Sequence, residues 1–113
     1  MATLILYSSL SQGVSGRVYF GDPKTLEQQV NPKVATVRAK EVYERIASYR
    51  KISEEGVEKG SARYQQLMLK ATNTFKVVVQ AEANGKYHVV AEEGKVSGYK
   101  VYDITQSVIQ RLP

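Results

Sequence analysis

The sequence contains no cysteine, which excludes a disulfide framework, a thiolate nucleophile and every cysteine-ligated zinc or iron–sulfur site. That absence leaves the compartment open, because disulfide-free chains fold in cytosol and periplasm alike. No run approaches the roughly 18 apolar residues that a membrane-spanning helix needs. Leu4-Ile5-Leu6 is far shorter than a signal h-region and has no basic stretch before it, so the chain as written is expected to carry no export signal. The single histidine, His88, sits in a strand-like stretch with no carboxylate at ligand spacing, so neither a metal site nor a catalytic imidazole is expected. The glycines form no GxGxxG or Walker pattern. Glu54-Glu55 and Glu92-Glu93 are adjacent pairs at turns rather than the separated carboxylates that acid–base catalysis needs. These absences together predict a protein that is not an enzyme and takes no cofactor.

What is present is one domain's worth of chain. Its 113 residues, 42% hydrophobic and 24% charged, suit a single modest core of an ordinary globular class. The formal charge of +5 favours acidic or anionic partners. The basic residues are spread from Arg17 to Arg111 and interleaved with Glu, without the basic, aromatic-bearing stripe of a dedicated binder, which argues against nucleic acid.

Along the chain, a short apolar run at Leu4 to Ser8 precedes a Ser/Gly-rich stretch and reads as an edge strand or an ordered tail. Arg17-Val18-Tyr19-Phe20 reads as a strand, and Gly21-Asp22-Pro23 then starts a short helix, with Asp as cap and Pro in the first turn. From Lys33 to about Glu55 no Gly or Pro intervenes, and Ala35, Ala39, Val42, Ile46 and Tyr49 recur at spacings of three and four, predicting a long amphipathic helix. Gly56 and Gly60 bracket a turn, Ser61 can cap a second helix, and Tyr64, Leu67, Ala71, Thr74, Val78 and Ala81 repeat the pattern to about Glu82. The two helices make an antiparallel hairpin, with arms of about 35 Å at 1.5 Å per residue. One continuous helix containing both glycines is the alternative, at about 1 kcal/mol per glycine relative to Ala. Beyond Asn84-Gly85, Lys86 to Ala91 and Val96 to Tyr102 predict a β-hairpin. Asp103-Ile104-Thr105-Gln106 has the form of a capping box ahead of a closing helix. The predicted class is α+β: a small β body from residues 1–32 and 83–113, completed by oligomerisation, with a protruding coiled-coil-like hairpin over 33–82, all in one domain.

The last third of the chain resembles the carboxyl-terminal part of the Skp/OmpH family of periplasmic chaperones. Ala83-Asn84-Gly85-Lys86-Tyr87-His88-Val89-Val90, Gly94-Lys95-Val96, Val101-Tyr102-Asp103-Ile104-Thr105, Val108-Ile109 and Arg111-Leu112 carry the likeness, and Arg17 to Pro32 adds a weaker one. The resemblance implies a homotrimer in which strands of three copies form a barrel-like body and helical hairpins surround a cavity. It implies an ATP-independent holdase for unfolded outer-membrane polypeptides, resident in the periplasm and linked to membranes only indirectly. This chain differs in its shorter arms, in the extra Leu4 to Ser8 segment and in the lack of a leader, so a cytoplasmic home stays open.

For client contacts the residue types point to Tyr43, Tyr49, Tyr64, Leu67 and Met68 as soft apolar groups, since Met adapts in shape and Tyr pairs an apolar ring with a polar tip. Arg38, Lys40, Arg45, Arg50, Lys51, Lys59 and Arg63 supply a positive field. Val18, Phe20, Val89, Val90, Val101, Ile104 and Val108 are the candidates for an oligomer interface. Each set has a plainer reading: apolar stripes pack inside the hairpin, and Lys and Arg form a solvated face balanced by Glu. A structural or assembly subunit that uses the same plan without general client binding is the alternative function, because an extra strand can add to a neighbouring sheet edge.

Overall fold

In the computed structural model, which describes residues 13–113, the chain is a mixed α+β protein. The element order is β1 (Gly13–Val14), β2 (Val18–Phe20), a 3-10 helix (Pro23–Gln28), β3 (Val34–Val37), α1 (Ala39–Tyr43), α2 (Ala47–Glu54), α3 (Ala62–Ala83), β4 (Val89–Glu92), β5 (Val96–Ser97), β6 (Val101–Asp103) and α4 (Thr105–Gln110). The predicted Leu4 to Ser8 strand lies outside the described residues. Two compact units emerge. One takes the chain up to Val37 together with Ala83–Ile104, and the other takes Arg38–Glu82 with Thr105–Pro113.

The first unit is built on a four-stranded sheet of order β2-β4-β3-β6. β3 runs parallel to both neighbours, with Val34 opposite Val89 on one side and Val101 on the other, while β2 joins β4 antiparallel through a register shift between Val18 and Phe20. β1 and β5 form a separate antiparallel pair. Parallel neighbours cannot be joined by a tight turn, so the chain must leave the sheet after Val37 and return at Val89 by a long crossover, here a helical one. Val34, Ala35, Val37, Val89, Val90 and Ala91 are all fully buried, as expected of a parallel strand pair covered on both faces. Leu26 packs with Val34 and Val89 into the core of this unit, with Val14, Val18, Val96 and Tyr99 around it. The Asp-Pro start works as its residue types predict: the Asp22 carboxylate accepts from the Lys24 amide at 3.0 Å, and Pro23 opens the 3-10 helix.

The lone histidine is a structural brace. The Lys33 amide donates to His88 Nδ1 at 3.0 Å, and the His88 amide donates to the Lys33 carbonyl at 2.8 Å. The two bonds fix the ends of β3 and β4 side by side.

The second unit is helical. On α3 the buried positions Leu67, Ala71, Phe75, Val78 and Val79 follow one face at helical spacing, and Val42, Ile46 and Val108 supply buried side chains from the rest of the unit. Tyr43 stacks on Phe75 with centroids 4.9 Å apart and meets Tyr49 at 5.6 Å. Ser61 caps α3 by accepting the Tyr64 amide at 3.1 Å, and Arg111 Nε meets Glu82 Oε1 at 2.8 Å.

Two expectations are corrected. The helix predicted from Lys33 to Glu55 is instead strand β3 followed by two short helices. Val34-Ala35-Thr36-Val37 is a short, largely β-branched run, and its burial between two parallel strands outweighs a three-and-four spacing that such a run also satisfies. The stripe then breaks again between α1 and α2, where Ile46 takes an extended backbone (ψ 126) and buries its side chain. The predicted hairpin of Lys86 to Ala91 with Val96 to Tyr102 does not form either. β4 pairs with β2 and β3, β5 pairs with β1, and β3 lies between β4 and β6. α4 begins at Thr105, two residues after the end of β6, and the Thr105 hydroxyl accepts from the Arg38 amide at 3.0 Å.

Candidate functional site: a basic groove with an apolar floor

The helical unit carries a groove of about 500 Å³ between the α2 and α3 segments. The break before α2 shapes one of its walls. A helix running unbroken through Ile46 would carry no amino-terminus there, whereas the restart at Ala47 places a helix beginning, Arg45 and the Ile46 side chain on one wall. Leu67 from α3 and Leu112 after α4 complete an apolar floor. Ile46 and Leu67 are nearly closed off, 3% and 5% exposed, so the floor is the upper surface of the core itself.

The rim is cationic. Arg45, Lys51, Arg63 and Lys70 line the groove, and no Asp or Glu does among the described residues. Arg63 reaches Glu55 at 3.2 Å, outside the lining, with both side chains about half exposed. An exposed pair of that kind is worth little, so Arg63 remains available to an anion. A shallower depression of about 460 Å³ continues from the groove, sharing Lys70, Thr74 and Pro113 and adding Val77, which is 64% exposed, and Arg111. From Arg63 to Val77 the α3 face spans about 21 Å at 1.5 Å per residue. An extended polypeptide of about six residues covers that distance.

Of the candidates read from sequence, the groove gathers Arg45, Lys51, Arg63 and Leu67. The others lie elsewhere. Tyr43 is taken up by packing against Phe75 and Tyr49, and its hydroxyl donates to Thr72 Oγ1 at 3.4 Å. Tyr49, Tyr64 and Met68 are half-buried. Arg38 meets Glu41 at 3.0 Å and Arg50 meets Glu54 at 3.4 Å along their own helices, while Lys40 and Lys59 are exposed away from the groove lining. Among the residues proposed for an oligomer interface, Val89, Val90, Ile104 and Val108 are buried within the chain's own two units. Val18 and Phe20 are half-buried on β2, and Val101 is 42% exposed on β6.

Sequence reasoning missed Ile46 as a helix start, together with Ser48, Gln66, Lys70 and Leu112. A Ser, Thr, Asp or Asn at position 46 would have signalled a restart; isoleucine gives no such sign. Lys70 was legible only as one more solvated cation.

Compared with known proteins, the chain matches no family model, no curated protein and no solved structure.

Proposed function

We propose that this protein holds segments of non-native polypeptide without ATP, and that the client lies along the groove of the helical unit rather than between two long arms. The observation that carries the proposal is the pairing of an apolar floor (Ile46, Leu67, Leu112) with a rim of four cations and, among the described residues, no acidic lining residue. Apolar burial supplies attraction that does not depend on sequence, and the positive rim favours clients with acidic residues and speeds their capture. A groove this open retains a chain by several weak contacts, which suits a client that must leave again. The Skp/OmpH-like pattern of the last third supports the same reading, and with it a homotrimer and a periplasmic setting. No step of the proposal is catalytic.

The test is suppression of aggregation of an unfolded outer-membrane protein diluted from urea, followed by light scattering, with native mass measured in parallel. The expected result is protection at stoichiometric protein, weakened by Leu67→Ser combined with Lys51→Gln. Absence of protection by a folded, wild-type protein overturns the proposal.

A second reading is favoured by one observation. Among the described residues β6 ends the sheet order, and Val101, Tyr102 and Asp103 are all exposed, with Lys100 Nζ 5.4 Å from the Tyr102 ring centroid. An exposed edge of this kind can accept a strand from another chain. In that reading the protein is an assembly subunit without general client binding. Native mass separates the two: a stable complex with one defined partner and no protection of unrelated clients supports the second.

A further inference from the structure

We propose that residues 7–9 of this chain dock antiparallel on the outer edge of β6, opposite Val101–Asp103, so that the chain itself closes that edge of its sheet. The inference goes beyond the groove and does not depend on it. It assigns an occupant to the edge on which the assembly-subunit reading relies, and makes that edge one for which a partner strand must compete.

Two ladders select the same residues. In β1 and β5, Val14 lies opposite Val96 and Gly13 opposite Ser97, and the Ser15 amide donates to the Lys95 carbonyl at 2.7 Å. In an antiparallel ladder the residues that exchange bonds recur at every second position. The same register carried toward the amino-terminus therefore sets Ser11 against Tyr99, Ser9 against Val101 and Tyr7 against Asp103, each as a bonded pair. β6 gives the same parity from its other side. It runs parallel to β3, and the Ile104 amide donates to the Thr36 carbonyl at 2.9 Å. Tyr102 and Ile104 thus turn their backbone groups to β3, and Val101 turns its own to the opposite edge. Among the described residues no strand lies beyond β6.

The reach is matched as well. Four positions separate Ser9 from Gly13 and four separate Val101 from Ser97, so one strand can follow the chain from β5 to β6 without a loop. Gly13 and Gly98, both at positive φ (151 and 82), stand where the two ladders meet, and glycine permits a kink there on each strand. Residue chemistry favours the pairing. No charged side chain precedes Arg17, and residues 4–10 read Leu-Ile-Leu-Tyr-Ser-Ser-Leu, an uncharged, β-prone run of the kind that aggregates when left unpaired. β6 is its counterpart, an edge without proline on which Val101 is 42% and Tyr102 38% exposed. A second copy is not required, because the ladder begun by β1 delivers the segment of the same chain.

Amide hydrogen exchange followed by NMR on the full chain reads the edge directly. The expected result is a protected Val101 amide in the wild type. A Tyr7→Pro/Ser9→Pro variant, which cannot pair there, exchanges it at least about tenfold faster while Val89, inside the sheet, is unchanged. A wild-type Val101 amide that exchanges as fast as that of Gly94 overturns the proposal, as does protection that survives both prolines. The second measurement uses the absence of native cysteine. Ser9→Cys/Val101→Cys would hold its Cα atoms about 5.5 Å apart, within disulfide reach. Mild oxidation is expected to give a closed monomer on a non-reducing gel. Ser9→Cys/Arg17→Cys is expected to stay reduced, because Arg17 precedes β2 at the other end of the sheet, four strand spacings or about 19 Å from the docked segment. Disulfide-linked dimers in place of closed monomers would show that a second copy fills the edge, and equal closure of both pairs would show that the segment has no fixed seat. Either outcome overturns docking within the chain.

Discussion

At the scale of single residues, the tightest constraint in the sheet unit is Gly21. Its φ is +78, and a Cβ placed there would lie 1.9 Å from the His88 carbonyl oxygen, with Val89 backbone close behind. Backbone atoms of a sheet cannot retreat as a flexible side chain can. Gly21→Ala is therefore expected to cost at least about 2 kcal/mol in urea unfolding, combining left-handed strain with the clash. Gly94→Ala, at φ +83 but facing open space, should cost only about 1 kcal/mol, the strain alone. In the helical unit Phe75 holds the equivalent rank: it is 2% exposed and stacked on Tyr43. Phe75→Ala is expected to lose about 3–5 kcal/mol, read from the same denaturation curves. A loss under about 1 kcal/mol would mean the helical unit has no packed interior.

At the scale of elements, what was legible depended on whether a segment's structure is decided locally. The 3-10 helix could be read because Asp22 and Pro23 act within their own turn, and α3 because Ser61 caps it and its apolar face repeats along its length. β3 could not, because the choice between strand and helix for Val34-Ala35-Thr36-Val37 is made by β4 and β6, partners remote in sequence. The start of α2 was hidden for a related reason: Ile46 leaves the helix to bury its side chain, with no turn residue to announce it. So the groove's cations were recoverable from sequence, while the helix terminus that gives them a focus was not. The local rule yields its own measurement. Ser61→Ala should lower stability by about 1 kcal/mol through loss of the α3 cap, and Ser61→Asn should restore most of it, as followed by circular dichroism during thermal unfolding. Equal melting of all three proteins would show that the cap contributes nothing.

At the scale of the whole molecule, the two units share one dependence. The sheet takes its outer strand from Val101–Asp103, and the helical unit takes α4 from Thr105–Gln110, almost immediately after it in the chain. A version ending at Lys100 is accordingly expected to lose both tertiary structures together, seen as collapsed amide dispersion in NMR and a non-cooperative urea transition, rather than to retain one intact unit. Survival of either unit would refute that shared dependence. The same arrangement bears on how the protein is made. Val34 meets Val89 and Val101 only after roughly half the chain has intervened, and contacts so distant close slowly. During translation the nascent β3 run must wait, apolar and unsheltered, until the stretch bearing β6 and α4 has emerged from the ribosome. A molecule proposed to shelter other unfinished chains thus passes through its own interval of needing shelter.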